Sequence, residues 1–219
     1  MGLVIAPTRE LAMQIYQHSL PFCKTVGVDV VCVYGGSETY PQREELSRGV
    51  DLLIATPGRL LDFVERNAVS LKKVIYFVID EADRMLDMGF IPQVKKIVEE
   101  LKPKRQTLLF SATWPKEVEA LSEEICKNNP VKIKVGGSDQ YTVNKDIKQF
   151  ISIVDEFEKK DRLVDLMKNI CQDKNHKILI FVKTKKGCDK LSRTLDYSGY
   201  DSAAIHGDKA QNVFDITYA

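Results

Sequence analysis

Along the chain, short apolar runs recur, and each is followed by a stretch in which apolar residues return every three or four positions. That alternation is the pattern of βα units wound around a parallel sheet. The runs predict strands at residues 2–6, 28–33, 51–55, 74–79, 106–110 and 131–135. Most are apolar throughout, Val74-Ile75-Tyr76-Phe77-Val78-Ile79 being the clearest, as expected of strands covered on both faces and lying inside the sheet rather than at its edge. Between them, Leu11, Ala12 and Ile15, then Ile91, Val94, Val98 and Leu101, then Val118, Leu121 and Ile125 mark one buried face each of three helices. Gly136-Gly137-Ser138-Asp139-Gln140 breaks the periodicity and opens a polar stretch reaching Asp146. This reads as a linker, 136–146, between a first domain at 1–135 and a second at 147–219. In the second domain the pattern predicts strands at 147–154, 178–182 and 202–205. It also predicts helices on Leu163, Leu166, Met167 and Ile170 and through Leu191 and Leu195. The fold class is α/β, a parallel sheet flanked by helices followed by the start of a similar domain.

Composition narrows the functional classes. With 219 residues, 44% hydrophobic and 29% charged, the chain has room for one large domain or two modest ones with buried cores. Lysine plus arginine number 32 against 31 acidic residues, a net charge of +1, so a nucleic-acid surface must be a local patch rather than a basic face. No apolar run reaches the roughly 18 residues of a membrane span, and Leu3-Val4-Ile5-Ala6 lacks the basic flank of a signal peptide. A soluble protein of the nucleus or cytoplasm is expected. The 5 cysteines are scattered and only 3 histidines are present, so neither a disulfide framework nor a zinc pattern is legible. A metal held by carboxylates stays open.

In open α/β sheets, ligands gather at the carboxyl ends of strands, so the residues just after each apolar run carry the chemistry. The run ending at Ile79 delivers Asp80-Glu81-Ala82-Asp83. Adjacent carboxylates there suit an arrangement in which one acid holds Mg²⁺ and a neighbour orients a water beside a nucleoside triphosphate; they also suit a helix's first turn, where the macrodipole favours acids. The run ending at Phe110 delivers Ser111-Ala112-Thr113-Trp114-Pro115, hydroxyls able to cap the next helix or to hydrogen-bond the neighbouring acids. Three further ends read Ala6-Pro7-Thr8-Arg9-Glu10-Leu11-Ala12, Tyr34-Gly35-Gly36 and Ala55-Thr56-Pro57-Gly58-Arg59. Each joins a free backbone or a helix start to hydroxyl or guanidinium groups, which is equipment for gripping phosphates. Singly, each is equally an ordinary turn or helix start.

In order and wording, these strand ends resemble the DEAD-box family of ATP-dependent RNA helicases. PTRELA at 7–12, the Gly35-Gly36 pair, TPGR at 56–59, DEAD at 80–83 and SAT at 111–113 are similar to that family's successive motifs. Ile180-Phe181-Val182-Lys183-Thr184-Lys185 resembles the motif opening its second recombinase-A-like domain, and His206-Gly207-Asp208 with Gln211 resembles the next. The resemblance implies ATP and Mg²⁺ as cofactors and RNA as partner, with ATP binding and hydrolysis driving local duplex unwinding. By it, Asp80 would coordinate Mg²⁺ through water, and Glu81, beside the metal, would position or activate the attacking water. Asp83, Ser111 and Thr113 would couple nucleotide state to RNA and to domain closure. Pro7, Thr8, Arg9, Glu10, Gly35, Gly36, Thr56, Pro57, Gly58 and Arg59 would hold one RNA strand's backbone, with Lys183, Thr184 and Gln211 adding contacts from the second domain. Backbone contacts carry little sequence preference and weaken with salt.

The sequence also departs from the family pattern. No G-x-x-x-x-G-K-[ST] loop occurs, Phe214 stands where an arginine is expected three residues after Gln211, and no arginine-finger motif follows before Ala219. The expectation is therefore a piece of a helicase core, a first domain without its phosphate-loop portion joined to part of a second, inactive towards ATP by itself and prone to associate through exposed sheet edges. Two alternatives stand beside it: an ATP-independent RNA-binding or competitor module, and a Mg²⁺-dependent hydrolase using Asp80 and Glu81 on another phosphate ester.

Overall fold

A computed structural model describes residues 1–126, 129–135, 146–171 and 177–209. The chain divides into two compact units, Met1–Gly136 and Gly137–Ala219. The first contains β1 (Gly2–Ile5), α1 (Arg9–Val26), β2 (Val30–Val33), α2 (Thr39–Ser47), β3 (Leu52–Ala55) and α3 (Pro57–Glu65). It continues with β4 (Tyr76–Ile79), α4 (Ala82–Asp87), α5 (Ile91–Glu99), β5 (Gln106–Leu109) and α6 (Lys116–Ile125). All strand pairs are parallel, in the order β2-β3-β1-β4-β5.

Because strand side chains alternate between faces, the continuous apolar runs divide into two cores. On one face Val4, Val30, Cys32, Leu52 and Ile54 meet Leu11, Ala12 and Ile15 of α1. On the other, Leu3, Ile5, Val33, Leu53, Phe77 and Ile79 pack with Leu60 and Phe63 of α3, Val94 and Ile97 of α5, and Leu121 and Ile125 of α6. Each such side chain fully removed from water contributes about 1.5–3 kcal/mol before entropy is charged against it. The periodicity of α1, α5 and α6 thus reports the core correctly. Local signals delimit α1: the Thr8 hydroxyl accepts from the Leu11 amide at 3.2 Å, and Gly27, at φ 68°, closes the helix with its amide on the Cys23 carbonyl.

In the first unit two strand expectations differ from the structure. β2 is apolar throughout, yet among the described residues it pairs only with β3 and lies at the sheet's edge. Its burial comes from α1 and α2, which both pack on it. Residues 131–135 form no strand, and Val131, Ile133 and Val135 are exposed.

The second unit contains α7 (Lys159–Ile170) and α8 (Lys185–Tyr197), both where the apolar spacing predicts them. The described parts of 147–154, 178–182 and 202–205 form no strands, and Phe150, Ile151, Ile153 and Phe181 are each at least 90% exposed. A strand exists through its ladder: without a partner taking up its N–H and C=O groups, an apolar run alone does not make one.

Candidate functional site

The strand register sets the site. Val33, Ala55, Ile5, Ile79 and Leu109 are level across the sheet, so all five strands finish along one edge. One further hydrogen bond extends each rung past the strand ends: Thr56 to Val33, Ala6 to Ala55, Asp80 to Ile5 and Phe110 to Ile79, all amide to carbonyl at 2.8–3.0 Å. From β1 the chain crosses to β2 and returns through β3, whereas β4 and β5 lie on the other side of β1. That reversal is where parallel sheets open a ligand crevice, and here it falls between Pro7 and Asp80.

The ends of β4 and β5 form an acidic half. The Asp80 Oδ1 accepts from the Glu81 amide at 2.9 Å, and the Ala82 amide binds the Phe110 carbonyl at 3.0 Å. Between them Glu81 is exposed and left-handed, at φ 49°, a conformation that costs a non-glycine residue about 1–2 kcal/mol. Strain of this kind gathers at functional sites. The Asp83 Oδ2 accepts from both the amide and the hydroxyl of Thr113, at 2.8 and 2.7 Å. Ser111 Oγ accepts from the Asp83 amide at 3.2 Å and donates to the Thr113 carbonyl at 2.7 Å. Partial burial works to raise the Asp83 pKa, but the hydrogen bonds from Thr113 and from the Arg84 amide outweigh it and hold the carboxyl below its ordinary value. Ser111 and Thr113 therefore serve the acid of the neighbouring strand rather than cap α6, whose N-cap is Pro115 with no side-chain bond.

The ends of β2, β3 and β1 form a basic half. Pro7 is buried soon after β1 and Pro57 is buried as the first residue of α3, while Glu10, Gly35, Gly36 and Gly58 are exposed. Thr56 is the N-cap of α3, yet its hydroxyl accepts from the Gly35 amide of the adjacent loop, at 3.3 Å. The Arg9 guanidinium lies over the Tyr34 ring, 5.2 Å from its centre, and Arg59 lies over Phe63 while donating to the Ser37 carbonyl at 2.9 Å. Gln42, buried in α2, bonds this same loop at several points. Neither Ser37 nor Gln42 stands out in the sequence. A glutamine in a largely polar helix carries no signal of burial until the fold encloses it.

In the second unit Lys183 is exposed and Thr184 caps α8, its hydroxyl accepting from the Gly187 amide at 3.0 Å. The Asp189 carboxylate pairs with His206 at 3.1 Å and Lys209 at 2.8 Å. Gln211 and Phe214 lie outside the described residues.

The DEAD/DEAH box helicase family model matches residues 1–121, more than half of the chain. The chain belongs to the DEAD/DEAH box helicase family. It is 48% identical over 213 residues to the ATP-dependent RNA helicase DBP2 of Candida albicans, covering 97% of this chain and 38% of that protein. It is 50% identical over 217 residues to the DEAD-box ATP-dependent RNA helicase 30 of Arabidopsis thaliana, covering 99% and 36%. The chain thus spans well under half the length of these curated relatives. Among solved structures, a DEAD box protein from the hyperthermophile Methanococcus jannaschii is similar with a TM-score of 0.55 and 33% identity, over 100% of this chain and 57% of that one.

For a DEAD/DEAH box chain the fit of a metal at Asp80 is a matter of donor chemistry. Among the described residues no group of three or more His, Cys, Asp or Glu is placed to enclose an ion. Asp80 and Glu81 supply two adjacent carboxylates at the crevice, the number with which Mg²⁺ is held when phosphates and waters complete its shell. The residues fit Mg²⁺ shared with a phosphate ligand.

Proposed function

We propose that this chain grips the sugar-phosphate backbone of single-stranded RNA with one half of its sheet edge and carries the Mg²⁺ and water-positioning acids of an ATP-dependent RNA helicase on the other half. The observation supporting this is the level strand register, which aligns PTRELA, the glycine pair and TPGR on three neighbouring strands and DEAD and SAT on the next two. Pro7, Thr8, Arg9, Glu10, Gly35, Gly36, Thr56, Pro57, Gly58 and Arg59 would follow the phosphates, with Lys183, Thr184 and Gln211 contributing from the second unit. Asp80 would hold Mg²⁺ through water, and Glu81 would take up or orient the attacking water. When bound, Mg²⁺ would neutralise charge on the transferring phosphoryl group. Asp83, clasped by Ser111 and Thr113, would link the acidic turn to the β5 end.

The domain assignment that goes with this is a first recombinase-A-like domain at 1–135, a linker at 136–146 and part of a second domain at 147–219, in a nuclear or cytoplasmic protein. Among the described residues no helix is long and apolar enough to cross a membrane. No G-x-x-x-x-G-K-[ST] stretch occurs among the 219 residues, so turnover of ATP by this chain alone is not expected.

Fluorescence anisotropy with a single-stranded RNA tests the reading. Binding should be indifferent to base sequence, with log K falling by about 0.7 per neutralised phosphate for each tenfold rise in salt. Arg59→Ala should flatten that slope. Absence of RNA binding at low salt would sink the proposal. RNA affinity blind to ATP analogues, in the full-length protein as well as in this chain, would favour the ATP-independent module instead. RNA-stimulated phosphate release by this chain, lost in Glu81→Gln, would show that it needs no further phosphate loop.

A further inference from the structure

We propose that Gln42 is a positioning residue of the RNA-contacting edge: it clasps the 34–38 loop, and that loop holds both Arg9 and Arg59 ready for phosphates. The inference rests on the RNA-backbone reading above.

Gln42 is 7% exposed and both ends of its carboxamide are spent on one loop. Its Oε1 accepts from the Tyr34 amide at 2.9 Å. Its Nε2 donates to the Tyr34 carbonyl at 3.2 Å, the Ser37 hydroxyl at 2.7 Å and the Glu38 carbonyl at 3.1 Å. Tyr34 directly follows β2, the edge strand, so its amide and carbonyl have no further strand to pair with among the described residues. The glutamine side chain takes the place of that strand, supplying one acceptor and one donor to the same residue. Leucine would leave the Tyr34 amide unpaired and its carbonyl with only the Ser37 hydroxyl, at 3.4 Å. Glutamate would keep the acceptor but set a carboxylate against two carbonyls, and an unsatisfied buried polar group is costly.

The clasped loop in turn touches the chain that follows β3 and the chain that follows β1. The Tyr34 ring lies beneath the Arg9 guanidinium, the Ser37 carbonyl accepts a hydrogen bond from Arg59 Nη2, and the Gly35 amide donates to the Thr56 hydroxyl. Arg9 Nε and Arg59 Nη1 are buried with no partner among the described residues. The Arg9 guanidinium is thus fixed by one face and that of Arg59 by one face and one edge, with no other hydrogen bond among the described residues. A guanidinium held in this way loses less freedom on meeting a phosphate, which is where preorganisation raises affinity.

The test uses the whole chain with Gln42→Leu, Tyr34→Leu and Tyr34→Phe. Without RNA, amide hydrogen exchange in Gln42→Leu should accelerate at least tenfold across 34–38 and stay unchanged in β1 and β4; unchanged exchange in the loop overturns the proposal. With oligouridylate, Gln42→Leu should bind about tenfold more weakly at low salt, with a salt slope flatter by about 0.7 for each phosphate that an arginine no longer neutralises. Simple partial unfolding lowers the active fraction and leaves the slope alone, so a loosened loop with a wild-type slope also overturns it. Tyr34→Phe keeps the ring under Arg9 and should restore the slope that Tyr34→Leu flattens. If Gln42→Leu fails to fold, Gln42→Glu, which loses the amide donors, takes its place, and unchanged exchange across 34–38 in that variant refutes the clasp. If the wild type binds no RNA, the RNA reading fails, and the exchange result alone decides whether Gln42 holds the loop.

Discussion

Asp83 shows how a single carboxylate ties two strand ends together and makes that tie dependent on pH. Its pKa is lowered in the fold from the ordinary 3.8, so its stabilising contribution is complete above that value and is lost as pH falls through the lower folded one. Acid titration of the folded chain followed by circular dichroism should therefore show a contribution below pH 4 that Asp83→Asn removes. Thr113→Val, which deletes one of the two donors to Oδ2, is expected to lower stability by about 1 kcal/mol, moderated by the site's exposure. Cys32 is governed by burial instead. Desolvation, then the nearby Glu45 carboxylate, pushes its thiol up to about 12, so at pH 8 almost none is thiolate. Iodoacetamide footprinting by mass spectrometry should leave Cys32 unmodified in the folded chain and modify it in urea.

Elements depend on a few interactions that their own sequences do not announce. Phe77, fully buried in β4 between β1 and β5, joins the core shared with α3, α5 and α6. Phe77→Ala should cost about 3–5 kcal/mol in chemical denaturation, enough to threaten the first unit. Gly187 in α8 is a case where two effects compete. In an open helix, glycine to alanine gains about 1 kcal/mol. Here the added Cβ would stand 2.9 Å from Thr184 Oγ1, which is pinned as the N-cap, and 3.1 Å from a Val182 methyl. Losing the cap costs about as much as the helix gains. The Val182 clash then decides the sign. Gly187→Ala should speed amide exchange in the first turn of α8, and slower exchange there would contradict this account. The helices themselves were legible in sequence where their apolar stripes are regular, as in α5 and α6. α2 was not, because it buries only Gln42 and Leu46.

At the scale of the whole molecule, the second unit exposes Phe150, Ile151, Ile153, Phe157 and Phe181, each at least 90% open to solvent. Apolar surface of that extent drives association in water. Light scattering should detect self-association of the chain at micromolar concentration, and a monodisperse monomer would count against it. The same residues mark the limit of what sequence reading achieves. Apolar runs identify segments able to be strands, and in the first unit five of them are, because each has at least one parallel neighbour to pair with. The runs at 131–135 and in the second unit are also rich in apolar residues but have no such neighbours among the described residues. Site residues divide similarly. PTRELA, the glycine pair, TPGR, DEAD and SAT were legible as strand-end chemistry, since a parallel sheet must present its carboxyl ends together. Whether their hydroxyls bond within their own turn or across to a neighbouring strand end was not legible: Thr56 accepts from the Gly35 amide and Thr113 donates to Asp83. Local sequence, through periodicity and turn residues, determined the order of elements and which residues follow each strand. Strand order, the hydroxyl partnerships and the burial of Gln42 were decided only by tertiary structure, because each is an interaction between segments distant in the chain.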